Sequence, residues 1–275
     1  MKLFTLVGLV VLAASAHAAD APDTRVGDFR DFPAFPSTIL NNTRPVSVLL
    51  PPSYDKESER RYPVLYAQDG QNLFSERTGF MGKEWQLDET LQKMWAEKRL
   101  PEIIVVGIGN NGANRMTEYM PGSGGDKYVK FLTSELKPFI DNRFRTMKDA
   151  KNTAIMGSSM GGIISLWAAV TRSDVFAQAA GLSPSLQYAE AFESRLGGGW
   201  KPPIRAYMDM GTAEMPGPQG RQLADTLEIV RNRLKGAGWD EGKDFVANVI
   251  EGGEHNEAAW AARVDKPLTF LFAPK

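Results

Sequence analysis

Two serines stand side by side in Met156-Gly157-Ser158-Ser159-Met160-Gly161-Gly162, and either hydroxyl is a candidate nucleophile. A reactive serine must present its Oγ where a base and oxyanion donors converge. The G-x-S-x-G pattern achieves this on a sharp strand-to-helix turn, with glycines leaving room for close packing. Ser159 has Gly157 and Gly161 two residues to either side, whereas Ser158 has Met156 and Met160, which would crowd the turn. The run Thr153-Ala154-Ile155-Met156 before it reads as a strand and the apolar stretch after it as a helix, so Ser159 is the expected nucleophile.

A serine of this kind needs a base, an acid behind the base, and two backbone N–H groups. The chain holds two histidines, His17 and His255. His17 falls in the N-terminal stretch discussed below, which leaves His255, in E-G-G-E-H-N-E-A-A-W after the last predicted strand. On an open sheet of this kind the chain order is nucleophile, acid, histidine, which directs attention to M-D-M-G-T-A-E-M-P-G. Glu214, in the loop past Gly211, is expected as the acid ahead of Asp209, which lies within the strand. Asp240 and Glu241 read as part of a solvated turn. One oxyanion donor is expected from the N–H of Met160. The other is expected from the N–H of Gln71 in Y-A-Q-D-G-Q-N-L-F, where Gly70 lets the backbone turn.

No metal or organic cofactor is required for this chemistry. With no cysteine and one histidine outside the N-terminal stretch, multi-histidine and cysteine metal centres are excluded. There is no G-x-x-x-x-G-K-[ST] phosphate loop, and Ser134-x-x-Lys137 lies inside a helical pattern without a K-T-G partner.

The elements that must position these residues alternate along the chain. Strands are predicted at 45–50, 62–68, 103–109, 153–157, 177–183, 204–210 and 245–251, several of them apolar throughout, as strands buried on both faces are. Helical periodicity covers 85–98, 126–144 and 220–238, the last closing on Gly236 as a C-cap. A final helical stretch, 256–272, contains Pro267, which should kink or restart it. Residues 19–43, rich in Pro and Asp, read as an extended lead-in. This alternation implies an α/β domain with a mostly parallel sheet covered on both faces, and no repeat or linker divides it.

The first residues, M-K-L-F-T-L-V-G-L-V-V-L-A-A-S-A-H-A, have a positive start, a short apolar run and an A-x-A cleavage site. They read as a signal peptide over 1–18, followed by one domain over 19–275. The expected location is therefore outside the cytoplasm, periplasmic or secreted, with no stable membrane association after cleavage. Lys and Arg number 32 against 33 Asp and Glu, without the basic excess of a nucleic-acid binder.

Beyond single motifs, the chain resembles the esterase family of the α/β-hydrolase superfamily that takes in esterase D, enterochelin esterases, feruloyl esterases and mycolyltransferases. The resemblance spans about residues 35–272. It is carried by R-P-V-S-V-L-L-P-P-S-Y-D, Y-P-V-L-Y-A-Q-D-G-Q-N-L-F, E-W-Q-L-D-E-T-L, I-I-V-V-G-I-G-N-N-G-A-N-R-M-T-E-Y-M-P-G, G-S-S-M-G-G, G-L-S-P-S and G-G-E-H-N-E-A-A-W. It implies an α/β-hydrolase fold without a large lid domain and a serine esterase acting through Ser159, His255 and Glu214, with Gln71 following the D-G pair as a donor. It also implies that Arg115, Glu118 and Tyr119 lie beside the pocket, either binding substrate or bracing the loop, with bracing the simpler role. Tyr188 is the nearby aromatic after S-P-S, so a flat catecholate stacking site is weakly supported. The expected substrate is a small-molecule or carbohydrate ester, such as an acylated or feruloylated sugar or a siderophore ester. An acyltransferase using the same residues, or a non-catalytic binding module on the same frame, are the alternatives.

Overall fold

The computed structural model describes residues 22–188, 194 and 203–273. The expected signal peptide and His17 lie outside the described residues. Eight strands form one sheet in the order β1-β2-β4-β3-β5-β6-β7-β8. They are β1 (Asp28–Ser37), β2 (Asn42–Leu50), β3 (Val64–Gln68), β4 (Ile104–Ile108), β5 (Thr153–Ser158), β6 (Gln178–Leu182), β7 (Arg205–Ala213) and β8 (Phe245–Glu254). From β4 across to β8 neighbours run parallel, while β1 and β2 are antiparallel additions at one edge.

Strand β1 lies within the stretch read as an extended lead-in and makes it part of the sheet, which the sequence reading did not foresee. Its Pro33 and Pro36 removed the usual strand signature, but β1 is an edge strand where a missing N–H costs no ladder bond, and the register shifts between Phe32 and Phe35. The central strands β3, β4, β5 and β6 are buried along their whole length, as their apolar runs require.

Helices cover both faces: α1 (Leu87–Ala96), α2 (Arg115–Tyr119), α3 (Ser123–Phe131), α4 (Lys137–Arg143), α5 (Ser159–Thr171), α6 (Pro218–Gly236), α7 (Glu257–Ala261) and α8 (Asp265–Phe272). A π turn at Leu132–Leu136 joins α3 to α4 and holds Ser134, and the Lys137 ammonium bonds Asp141 at 2.6 Å. Helix α5 is buried on all sides from Met160 to Val170, which suits its 13-residue apolar sequence and its place against the central strands. The expected C-cap at Gly236 shifts: Gly236 is still helical, and Gly238, at φ 84°, takes the left-handed conformation. Pro267 restarts the chain as expected, in the first turn of α8.

Two apolar clusters flank the sheet. One gathers Tyr66, Val106, Ile155, Ile163, Leu166, Leu227 and Phe245; the other gathers Leu65, Val105, Met156, Leu91, Trp85, Trp260 and Leu268. Period-two alternation along each central strand feeds both layers.

Candidate active site

Strand β5 ends in Ser158, which is extended at φ −116° and buried. The next residue, Ser159, has φ 53° and opens α5. A left-handed serine between strand and helix is strained, which aims its side chain out of the turn. The flanking glycines are sterically required. A Cβ on Gly157 would lie 2.6 Å from the Gly161 backbone, and one on Gly161 would meet Asp69 Oδ2 at 2.9 Å and Gln68 at 3.0 Å. Ser185 folds back over this turn, donating its N–H to the Ser159 carbonyl at 3.0 Å and placing its Oγ 3.4 Å from Ser159 Oγ.

Glu214 and His255 meet at the same carboxyl end of the sheet. Past Gly211, the chain turns so that the Glu214 carboxylate lies over the end of β7. Its Oε2 bonds Nδ1 of His255, and its Oε1 accepts from the Gly211 N–H at 2.6 Å and the Ser183 hydroxyl at 2.6 Å. Only glycine fits at 211, because a Cβ there would sit 2.0 Å from the Gly253 carbonyl oxygen and 2.8 Å from Glu214 Oε1. The G-T and E-G-G segments are thus two sides of one contact. Asn256 then caps α7 by accepting the Ala259 N–H at 2.9 Å, fixing the loop that carries His255. The imidazole packs edge-on against Trp260, with centroids 5.0 Å apart.

Burial alone would push the Glu214 carboxyl up. The bonds from His255, Ser183 and the Gly211 N–H outweigh it and hold the group below its ordinary value. An ionised Glu214 can only accept, so His255 Nδ1 is the donor in this pair and Nε2 is the ring nitrogen left for other partners.

Asp209, the alternative acid, points elsewhere. It is fully buried and bonds Arg263 through both oxygens, at 3.1 and 3.2 Å, and Tyr207 at 3.1 Å. Arg263, Trp260 and Ser183 are contributors that sequence reasoning missed. The Ser183 hydroxyl accepts from Trp260 Nε1 at 3.0 Å and from Arg263 Nη2 at 2.8 Å, which commits its one proton to Glu214. The G-L-S-P-S segment held Ser183 and the G-G-E-H-N-E-A-A-W segment held Trp260, with no sign in the sequence that they meet.

The loop after β3 carries the second group of site residues. Asp69, not Gly70, takes the left-handed turn, at φ 55°. Gly70 is needed instead for contact, since a Cβ there would lie 2.6 Å from the Gly107 carbonyl carbon on β4. Gln71 follows in a short 3-10 turn, and Met160 in the first turn of α5, positions whose N–H groups have no partner within their own helix. Arg115 fixes the loop by gripping Asp69 bidentately at 2.8 Å for both bonds, with Asn110 adding a third at 2.7 Å. Glu118 and Tyr119 brace rather than line. Glu118 is buried and held by Arg44 and Asn42 at 2.9 Å each, and Tyr119 is fully enclosed. Tyr188 is 37% exposed. Glu257, absent from the sequence-based candidates, accepts from Asn72 at 3.2 Å and joins this loop to α7.

The whole arrangement offers a strained hydroxyl, an acid-oriented imidazole and two helix-start N–H groups at one sheet end, which is the equipment for acyl transfer. The model of the family described as Putative esterase matches residues 37–270. YbbA of Bacillus subtilis (strain 168) is 26% identical over 245 residues, covering 83% of this chain and 92% of its own. An endo-1,4-beta-xylanase/feruloyl esterase of Xylanibacter ruminicola is 28% identical over 246 residues, 86% of this chain and 30% of the relative. The crystal structure of the enterobactin esterase FES from Shigella flexneri, in the presence of enterobactin, superposes with a TM-score of 0.71. It is 18% identical and covers 92% of this chain and 60% of that one. The shared architecture is the α/β-hydrolase fold.

Proposed function

Because the chain belongs to the Putative esterase family and is a carboxylic ester hydrolase, we propose that it works through Ser159, His255 and Glu214 by an acyl-enzyme mechanism. The observation that carries this is the left-handed Ser159 at the strand-to-helix turn, at the same sheet end as the Glu214–His255 pair. Ser159 Oγ attacks the ester carbonyl carbon as His255 Nε2 takes its proton. Glu214 holds the Nδ1–H and stabilises the imidazolium, while the N–H groups of Met160 and Gln71 receive the oxyanion. Collapse breaks the ester C–O bond, and Nε2–H returns its proton to the departing alcohol. Water, deprotonated by His255, then attacks the acyl-serine and releases the acid. The Ser159 hydroxyl is bonded to Ser185 in the free protein, and catalytic hydrogen bonds of this kind commonly tighten only with substrate bound.

The substrate class we favour is an aryl or acyl ester of a sugar, met by an exported enzyme. The relative named as a feruloyl esterase aligns over most of this chain. Arg115 is paired with Asp69, and the net charge of −1 gives no overall attraction for a polyanionic iron chelate. Among the described residues no helix is long and apolar enough to cross a membrane.

The test is hydrolysis of p-nitrophenyl acetate, methyl ferulate and an enterobactin-type trilactone by wild type, Ser159→Ala and Ser158→Ala. Ser159→Ala is expected to lose at least about 10³-fold in kcat, with Ser158→Ala close to wild type. Equal activity of both variants with wild type ends the serine mechanism, and preference for the trilactone over methyl ferulate ends the sugar-ester assignment. Added alcohol or disaccharide tests for acyl transfer in place of hydrolysis.

A further inference from the structure

The sequence excludes histidine and cysteine metal centres but says nothing against an all-oxygen one. Glu84, Asp88 and Glu89 gather where the loop after β3 enters α1, with one carboxylate oxygen from each lying within 4.8 Å of the others. Glu84 is 6% exposed and Asp88 fully buried. Glu84 Oε2, Asp88 Oδ1 and Glu89 Oε2 are all enclosed and receive no hydrogen bond. Among the described residues no lysine or arginine pairs with any of the three. Buried carboxylates without a countercharge are expensive, and natural proteins pair them, protonate them or give them a metal.

We propose that Glu84, Asp88 and Glu89 bind a calcium ion. The donors are hard carboxylate oxygens, and a spread within 4.8 Å matches two Ca–O bonds of about 2.3–2.6 Å each. Magnesium, with bonds of about 2.0–2.1 Å and a strict octahedron rich in water, suits an enclosed set less well. The other carboxylate oxygens are already placed by the chain. Thr24 Oγ1 donates to Glu84 Oε1, and the Val26 N–H donates to Asp88 Oδ2 at 2.7 Å. These bonds leave Glu84 Oε2 and Asp88 Oδ1 as the oxygens without a hydrogen-bond partner.

The ion would clip residues 24–26 to the start of α1. It would also stiffen Trp85, which lies between Glu84 and α1. The Trp85 ring sits 5.8 Å from Trp260, the residue that backs His255 and donates to Ser183. The site stands independently of the proposed serine mechanism.

The experiment uses the full mature chain, stripped with EGTA and then titrated with calcium chloride or magnesium chloride. Calorimetry should find one calcium per chain, and saturating calcium should raise Tm by roughly 5 °C, with magnesium giving less. Asp88→Asn and Glu89→Gln should each weaken calcium binding at least about tenfold. Glu89 is only half-buried, so Glu89→Gln is the variant expected to fold without difficulty, checked by circular dichroism. A wild-type Tm unmoved by calcium, or full binding retained by a folded Glu89→Gln, overturns the proposal.

Discussion

Among the buried acids of the described residues, two groups are treated in opposite ways. At the carboxyl end of β7, both oxygens of Asp209 and both of Glu214 are met by donors: Arg263, Tyr207 and the Ser183 N–H for one, and His255, the Ser183 hydroxyl and the Gly211 N–H for the other. At the start of α1, Glu84, Asp88 and Glu89 each leave an enclosed oxygen unmet. The first group is electrostatically complete without any addition, and its geometry fixes an imidazole. The second is complete only with a proton or a cation. A buried carboxylate therefore says little about function until its donors are counted.

The sharpest way to break this contrast is at Glu214. Glu214→Gln keeps the shape but removes the charge that holds the His255 tautomer, and kcat on a p-nitrophenyl ester is expected to fall about 10⁴-fold. It should also erase a pH-dependent part of stability. The folded Glu214 carboxyl is held below its ordinary value, so its contribution is fully present above about pH 4.5 and is lost as pH falls through the folded value. Chemical denaturation at pH 7 should separate wild type from variant, and the gap should close in acid.

Next is Arg263→Leu, which leaves Asp209 buried without its countercharge. A loss of about 3–5 kcal/mol is expected, read as a drop of roughly 10 °C in Tm. Asp209→Leu with Arg263→Leu should be less damaging than the single change, since it removes both members of the pair.

Ser183→Ala is a smaller test within the same group. It removes one of two donors to Glu214 Oε1, and kcat is expected to fall about tenfold with KM retained. With a donor lost, the Glu214 value should move up, so the acid limb of the stability profile shifts to higher pH. The smallest effect is expected at the other cluster. In EGTA, Glu89→Gln should change stability by no more than about 0.5 kcal/mol, because there it removes a repulsion rather than a bond.

Much of the site was legible because local sterics write themselves into sequence. Gly157 and Gly161 are where a Cβ would strike backbone or Gln68 and Asp69, so the elbow shows as a motif. Gly211 and Gly253 mark the contact that brings Glu214 to His255. Strand β1 was hidden because edge position, which excuses its prolines, is a property of the sheet and not of the segment. The left-handed turn at Asp69 was hidden because Gly70 beside it offered a more obvious candidate. Arg263 gave no signal at all: an arginine at the end of a short helix is ordinary until the fold lays it against Asp209, 54 residues earlier in the chain.

Taken alone, the sequence determined the α/β alternation, the serine at a glycine-flanked turn, and the histidine available to serve it. These follow from periodicity, composition and short-range crowding, which act over a few neighbouring residues. Tertiary structure decided which acid meets His255, what holds that acid in place, and which carboxylates are left without donors. Those outcomes depend on where separated segments come to rest against one another, and the strength of a buried charge's interactions is set by every group that packs around it.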